Sequence, residues 1–209
     1  MYNYQTRLNQ QLTYSPEREY SPTITPDLHY ISCIIQRENG AQDLGKYPIG
    51  GGAPEVIINQ IIVGYHAWVD SSNLVVFVLG QPNSLRWYSI TARNDRVVSE
   101  NIGRSLHRIP EMNAISFVDK QTPEWTIKRL NATDGSIETI ANTLPGREDL
   151  AWTPDKRIVM SDGDQILFLT MRRQKQWVPA QIISEAPIRG ITRMAINARG
   201  DKIAVVVNE

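Results

Sequence analysis

A single cysteine, Cys33, among 209 residues excludes an internal disulfide. It sits in the apolar run Tyr30-Ile31-Ser32-Cys33-Ile34-Ile35, where a free thiol reads as buried filler and leaves the redox compartment open. No charge of one sign predominates: 22 Lys and Arg face 22 Asp and Glu, so no whole-molecule field draws the chain to nucleic acid or to an anionic membrane. Long apolar runs are missing as well. The longest, such as Val56-Ile57-Ile58 and Leu74 to Leu79, fall far short of the roughly 20 residues that cross a bilayer, so no membrane span is expected. The first residues, Met1 to Arg7, hold no basic segment followed by an apolar stretch and do not read as a signal peptide. The chain is therefore expected in the cytoplasm, or in the periplasm or secreted if a leader was removed. Helical spacing is absent over any useful length, and turn residues interrupt the chain about every ten residues, which is the all-β pattern.

What the sequence does contain is a repeat. Five segments carry an apolar residue on a short strand followed by a turn with Pro or Asp. Aligning Ile24, Trp68, Ile109, Trp152 and Ile196 gives steps of 44, 41, 43 and 44 residues. That is the period of a propeller blade, about 40–45 residues for four strands. A β-branched second strand follows each turn: Tyr30 to Ile35, Leu74 to Val78, Ala114 to Val118, Arg157 to Met160 and Lys202 to Val207. Third strands are anchored at Ile49, Ile90, Leu130 and Met171, again 41, 40 and 41 residues apart. Polar turns at Asn94-Asp95, Asp134-Gly135 and Arg173-Gln174-Lys175 lead into fourth strands.

The pattern predicts an all-β fold, a five-bladed β-propeller of four-stranded blades, in one domain over residues 1–209. The repeats run at about 19–60, 61–103, 104–145, 146–187 and 188–209. The last repeat ends after two strands, and Tyr2 to Thr13 reads as the missing third and fourth. Joining the termini in one blade would remove two unpaired sheet edges. A larger propeller, of which this chain is part, is the alternative.

Ser21-Pro22-Thr23-Ile24-Thr25-Pro26-Asp27-Leu28-His29-Tyr30-Ile31 and, less closely, Ala151-Trp152-Thr153-Pro154-Asp155-Lys156-Arg157-Ile158 carry a known blade signature, Ser-Pro-x-apolar-Ser-Pro-Asp-Gly-x-x-apolar. With Gln11 to Pro16 as a link between blades, the chain resembles the TolB-like, WD-repeat-like propellers over nearly its whole length. It departs from them where the turn glycine is Leu28 or Lys156, and where Asp70-Ser71-Ser72-Asn73 has no proline. Six blades are usual in that family, against five counted here. The resemblance implies a protein-interaction platform, often outside the cytoplasm, and favours binding over catalysis.

The residues themselves name no reaction. Asp27, Asp70, Glu111 and Asp155 recur at one turn of the repeat, and a repeated turn acid is structural. A five-bladed glycosidase needs carboxyls converging at about 5 Å or about 6.5–9.5 Å, and only Glu19, Glu148 and Asp149 stand near the starts of first strands. His66 and His107 match in neighbouring repeats, but Pro22, Leu150 and Met194 occupy the equivalent places, so a third metal ligand is missing and no metal is expected. His29 reads as a solvated turn residue. Gly50-Gly51-Gly52 precedes no helix and reads as a hairpin turn rather than a phosphate cradle. Trp68, Trp87, Trp125, Trp152 and Trp177 are expected to pack between blades, and Arg172-Arg173-Gln174-Lys175 is too short a cluster for a nucleic-acid footprint.

The leading expectation is a noncatalytic module that binds a protein or peptide partner at the channel mouth. Glu19, Tyr65, His66, Arg104, His107, Arg147, Glu148, Asp149 and Arg193 are its candidate contacts, with no catalytic residue and no cofactor. A sugar-binding or glycoside-hydrolase-like propeller is the alternative.

Overall fold

The computed structural model describes residues 2–3, 5–170, 175–183 and 188–207. Met171, Arg172, Arg173 and Gln174 lie outside them. All regular structure in the described residues is β. The chain divides into two compact units, Met1–Gln81 with Leu85–Val98, and Pro82–Ser84 with Ser99–Glu209.

The first unit begins with a short antiparallel pair, β1 (Tyr2–Asn3) and β2 (Leu8–Asn9). A four-stranded meander follows: β3 (Arg18–Ile24), β4 (Tyr30–Gln36), β5 (Gln42–Pro48) and β6 (Glu55–Ile58). A second meander, mostly in this unit, runs β7 (Val63–Trp68), β8 (Asn73–Val78), β9 (Ser84–Ser89) and β10 (Asn94–Glu100). The second unit holds two more four-stranded meanders. One is β11 (His107–Arg108), β12 (Ala114–Asp119), β13 (Thr126–Asn131) and β14 (Ile137–Asn142); the other is β15 (Leu150–Trp152), β16 (Ile158–Ser161), β17 (Ile166–Thr170) and β18 (Gln176–Pro179). It ends with the pair β19 (Ile191–Ile196) and β20 (Ile203–Val207).

Each meander is one of the expected blades, in sequence order from first strand to fourth. The terminal strands form two two-stranded sheets, β1–β2 and β19–β20, with no ladder between them among the described residues. The third-strand anchors Ile49 and Ile90 fall one residue past β5 and β9. There their amides donate to His29 O at 3.0 Å and Ser72 O at 2.8 Å, closing the neighbouring turns instead of extending the strands.

Burial follows strand position. The second strands β8, β12 and β16 are buried at nearly every residue, which explains their unbroken β-branched runs; a strand covered on both faces has no polar side to alternate with. The fourth strands β6, β10, β14 and β18 are largely exposed edges, hence their mixed polar composition. In the first unit Ile34, Leu44, Val63, Trp68, Val76 and Tyr88 pack between blades one and two. In the second, Val118, Ile127, Leu150, Ile158, Met160 and Leu169 do the same between blades three and four, with Trp125, Trp152 and Trp177 against them. At about 1.5–3 kcal/mol for each large side chain removed from water, these clusters supply most of the drive to fold.

The family's turn glycine proves dispensable for turn geometry. Leu28 and Lys156 take φ of 63° and 65°, much as Gly200 does at 72°. Their amides close the same four-residue turn, on Thr25 O, Thr153 O and Asn197 O, each at 2.9 Å. A left-handed backbone costs a non-glycine residue about 1–2 kcal/mol, partly offset by the entropy that glycine loses on folding. Leu28 is 70% exposed and has little packing to lose. Leu28→Gly is therefore expected to stabilise the protein by roughly 0.5–1 kcal/mol, read as a raised urea midpoint at unchanged slope.

Candidate functional site

Six of the nine candidates lie in the second unit, and three of them, Arg104, Glu148 and Asp149, meet. The loop before β11 brings Arg104 to the loop before β15. Its guanidinium grips Asp149, Nη2 to Oδ2 at 2.7 Å and Nε to Oδ1 at 3.4 Å. Its Nε stands 3.5 Å from Glu148 Oε1, and its backbone N–H donates to Glu148 Oε2 at 3.3 Å. Lys120, just beyond β12, completes the group with its Nζ 3.4 Å from Glu148 Oε2 and 3.9 Å from the centre of the Trp125 ring. Gly103 makes the approach possible, because a Cβ there would stand 2.6 Å from Glu148 Oε2 and 3.2 Å from Val118 Cβ.

Beneath this cluster Ser105 links the two loops. Its Oγ lies 3.0 Å from His107 Nε2 and accepts from Leu150 N at 3.2 Å. Burial pushes the His107 imidazole down to about 4; the Asp149 charge and the Leu150 backbone pull it up, and Arg193 pushes it further down. Arg147 turns aside, donating from Nη2 to Asp162 O. The group therefore sets Arg104 and Lys120 against Glu148 and Asp149, charges of both signs on loops, with Arg193 of β19 felt at His107.

The three candidates in the first unit are built into its interior. Tyr65 makes edge contacts with Tyr20 and Phe77, ring centres 6.5 and 5.7 Å away. His66 is 6% exposed. Its Nε2 lies 2.7 Å from Ser32 Oγ, which also accepts from Trp68 Nε1 at 2.8 Å and donates to Thr23 O at 3.0 Å. One hydroxyl proton cannot serve two acceptors, so His66 Nε2 carries the hydrogen and Nδ1 is a bare acceptor, buried with no hydrogen-bond partner. Burial alone pushes this imidazole down to about 4.

Glu19 borders a cavity of about 540 Å³ lined also by Leu12, Thr13, Cys33 and Tyr47. It accepts from Ser15, from Tyr47 Oη at 2.7 Å and from Thr13 Oγ1 at 2.8 Å. Burial works to raise its pKa, and the three hydrogen bonds outweigh it and hold the carboxyl low. Burial and the bond to Glu19 push Tyr47 up to about 12. Cys33, 4% exposed and pushed up to about 11 by burial, is no nucleophile at neutral pH.

Of the four recurrent turn acids, Asp27 and Asp70 cap their turns, whereas Asp155 pairs with Arg157 at 2.8 Å. Asp27 Oδ1 accepts from His29 N at 3.0 Å and Asp70 Oδ1 from Ser72 N at 2.7 Å, while Glu111 instead pairs with Lys156 at 2.7 Å. Among the described residues, no three His, Cys, Asp or Glu side chains gather as a metal would need.

No protein-family model matches the sequence, and no curated protein matches it. Solved structures do match. TolB from Acinetobacter baumannii aligns with 92% of this chain and 49% of its own, at TM-score 0.68 and 13% identity. A nidogen/laminin complex aligns over 91% of this chain and 72% of its own, at TM-score 0.69 and 11% identity. Oligogalacturonate lyase from Vibrio parahaemolyticus aligns over 99% of this chain and 67% of its own, at TM-score 0.68 and 14% identity. The fold is the TolB-like β-propeller.

The twenty strands among the described residues fit five propeller blades of four. At such low identity the likeness reaches the fold alone, and this propeller chain spans about half the length of the Acinetobacter TolB. Sequence reasoning missed several propeller residues that hold the sites together: Ser32, Ser105, Ser116, Lys120 and Tyr47. A signal for two of them was present. Trp68 and Trp152 each follow a serine by 36 residues, and Trp152 Nε1 donates to Ser116 Oγ at 2.8 Å just as Trp68 does to Ser32. In β8, whose next blade carries Ile109 in place of tryptophan, the run Leu74 to Val78 has no hydroxyl.

Proposed function

We propose that this propeller is a noncatalytic binding module that takes a polar protein or peptide segment at the Arg104, Glu148 and Asp149 cluster, with Lys120, His107 and Arg193 beside it. The observation that carries the reading is the placing of these charges: both signs stand within a few ångströms, partly exposed, on the loops before β11 and β15 and after β12. A peptide offers the complementary mixture of amides, cations and carboxylates, which a uniform polyanion does not. Arg147 belongs to the same loop and would flank the partner.

An enzyme that cleaves glycosidic bonds by acid and base sets two carboxyls across the bond. Glu148 and Asp149 are instead consecutive residues gripping one guanidinium. The alternative of a sugar-active propeller draws support from the fold shared with oligogalacturonate lyase.

Selection of random 12-residue peptides on the purified chain separates the two readings. Selected peptides are expected to lose tenfold or more in affinity on Arg104→Ala/Asp149→Ala. Arg147→Ala, an exposed change, should leave the unfolding free energy within about 0.5 kcal/mol. A chain that selects no peptide but binds on a glycan array, or cleaves oligosaccharides, would refute the proposal in favour of the sugar reading.

A further inference from the structure

A groove of about 780 Å³ opens between blades three and four, wholly within the second unit. That volume lies within the range of ligand sites, about 300–1,000 Å³. Its apolar lining includes Ile140, Trp152, Phe168 and Val178. Trp152 is pinned by its bond to Ser116, which fixes the indole as a wall of the groove. Arg157 lies over Phe168, 4.5 Å from the ring centre. Cations Arg129, Lys156 and Arg157 line the groove against one carboxylate, Asp155.

The matching groove between blades one and two supplies the contrast. It is lined by Trp68 in the place of Trp152, holds about 340 Å³, and balances Lys46 and Arg93 against Asp27 and Glu55. Its two cations and two carboxylates cancel, and the buried Tyr88 takes up space. Of these two grooves, the one between blades three and four joins an open apolar wall to a lining with more cations than carboxylates.

The geometry points to a second, independent docking site here, for an extended acidic peptide of a protein partner that seats a leucine or aromatic side chain on Trp152 and Phe168 and sets flanking carboxylates against Lys156, Arg157 and Arg129. The cations now pair with acids of their own chain: Lys156 with Glu111 and Arg129 with Glu138, both outside the groove lining, and Arg157 with Asp155 within it, the three acids exposed at 74%, 62% and 61%. Such solvent-exposed pairs contribute little to stability, so a guest carboxylate replaces them at small cost. The apolar anchor supplies affinity and the charges supply orientation and association rate.

The test uses the whole chain carrying Arg104→Ala/Asp149→Ala, so that failure of the cluster as a site leaves the groove intact and the two outcomes stay distinct. Random 12-residue peptides are selected on it, and the consensus peptide is synthesised with a fluorescent label. The expected consensus has Leu, Phe or Trp flanked by two or more Asp or Glu. Its affinity should fall at least tenfold with Val178→Arg, which fills the groove, and with Lys156→Glu/Arg157→Glu, and should be unchanged by Arg199→Glu outside it. Raising the salt should weaken it. Both groove variants alter exposed or rim side chains, and a thermal scan checks each; should one unfold, the other decides. The proposal is overturned if no peptide is enriched, if the consensus lacks acids or an apolar anchor, if affinity ignores both folded variants, or if heparin binds as tightly as the peptide, which would mark a general polyanion surface.

Discussion

Lowering the pH from 6.5 to 4.5 should cost the fold about 2–3 kcal/mol through His66 alone, from about 1.4 kcal/mol per pH unit for each proton taken up only on unfolding. Burial holds this imidazole near 4, against 6.5 when unfolded. Between those values the unfolded chain binds a proton that the folded chain refuses, so stability rises with pH across the window and is level above it. The refusal has a local cause. Nδ1, where the second proton must go, is buried with no acceptor beside it. His107, also pushed down to about 4, acts in the same direction. The lowered carboxylates, such as Glu17 and Asp27, take over only below about 4.5, where they protonate in the unfolded chain. Urea unfolding at pH 7, 5.5 and 4.5 measures the effect. His66→Gln, which keeps a donor toward Ser32, should remove a large part of the slope; an equal slope in that variant would show that His66 titrates freely in the folded protein.

The blade period was legible because it is written in residues whose spacing is set by covalent geometry. Four short strands and their turns take about 40–45 residues whatever the side chains, and burial of the second strands β8, β12 and β16 forces an apolar run at one place in the repeat. The turn at Thr25 to Leu28 was legible in position but not in kind, because a positive φ at leucine leaves no mark in composition. The fifth blade marks another limit. Counting strands assigns both terminal segments to it, but the register of one strand on another leaves no mark in composition; among the described residues β1–β2 and β19–β20 are two-stranded sheets.

The candidate residues divide by the same logic. Arg104, Glu148 and Asp149 were found because loops before first strands recur, and charges on such loops are free to meet. His66 was found for its repeat position, yet its role differs from that of a rim contact: within β7 it faces Ser32 of the preceding blade, and the pair is buried. One chain's periodicity tells which positions are equivalent. It does not tell which side of a strand is dry, and that side decides whether an imidazole meets a partner or a serine.

Ser32→Ala should be among the most damaging single-atom deletions in the first unit, and more damaging than the equivalent Ser116→Ala in the second. Each serine receives an indole N–H at 2.8 Å from the tryptophan 36 residues later. A buried polar group left without a partner costs about 1–3 kcal/mol. Ser116→Ala strands one donor, Trp152 Nε1. Ser32→Ala strands two, Trp68 Nε1 and His66 Nε2, in a place where Ser32 is wholly buried and no water can substitute. The expected loss is thus about one such penalty at Ser116 and about two at Ser32, measured by chemical unfolding at pH 7, where both histidines are neutral. A double-mutant cycle isolates the indole contribution. Trp68→Phe removes the stranded N–H, so in the Ser32→Ala background it should cost markedly less than in the parent protein. If Ser32→Ala proves no worse than Ser116→Ala, the hydroxyl does not hold His66.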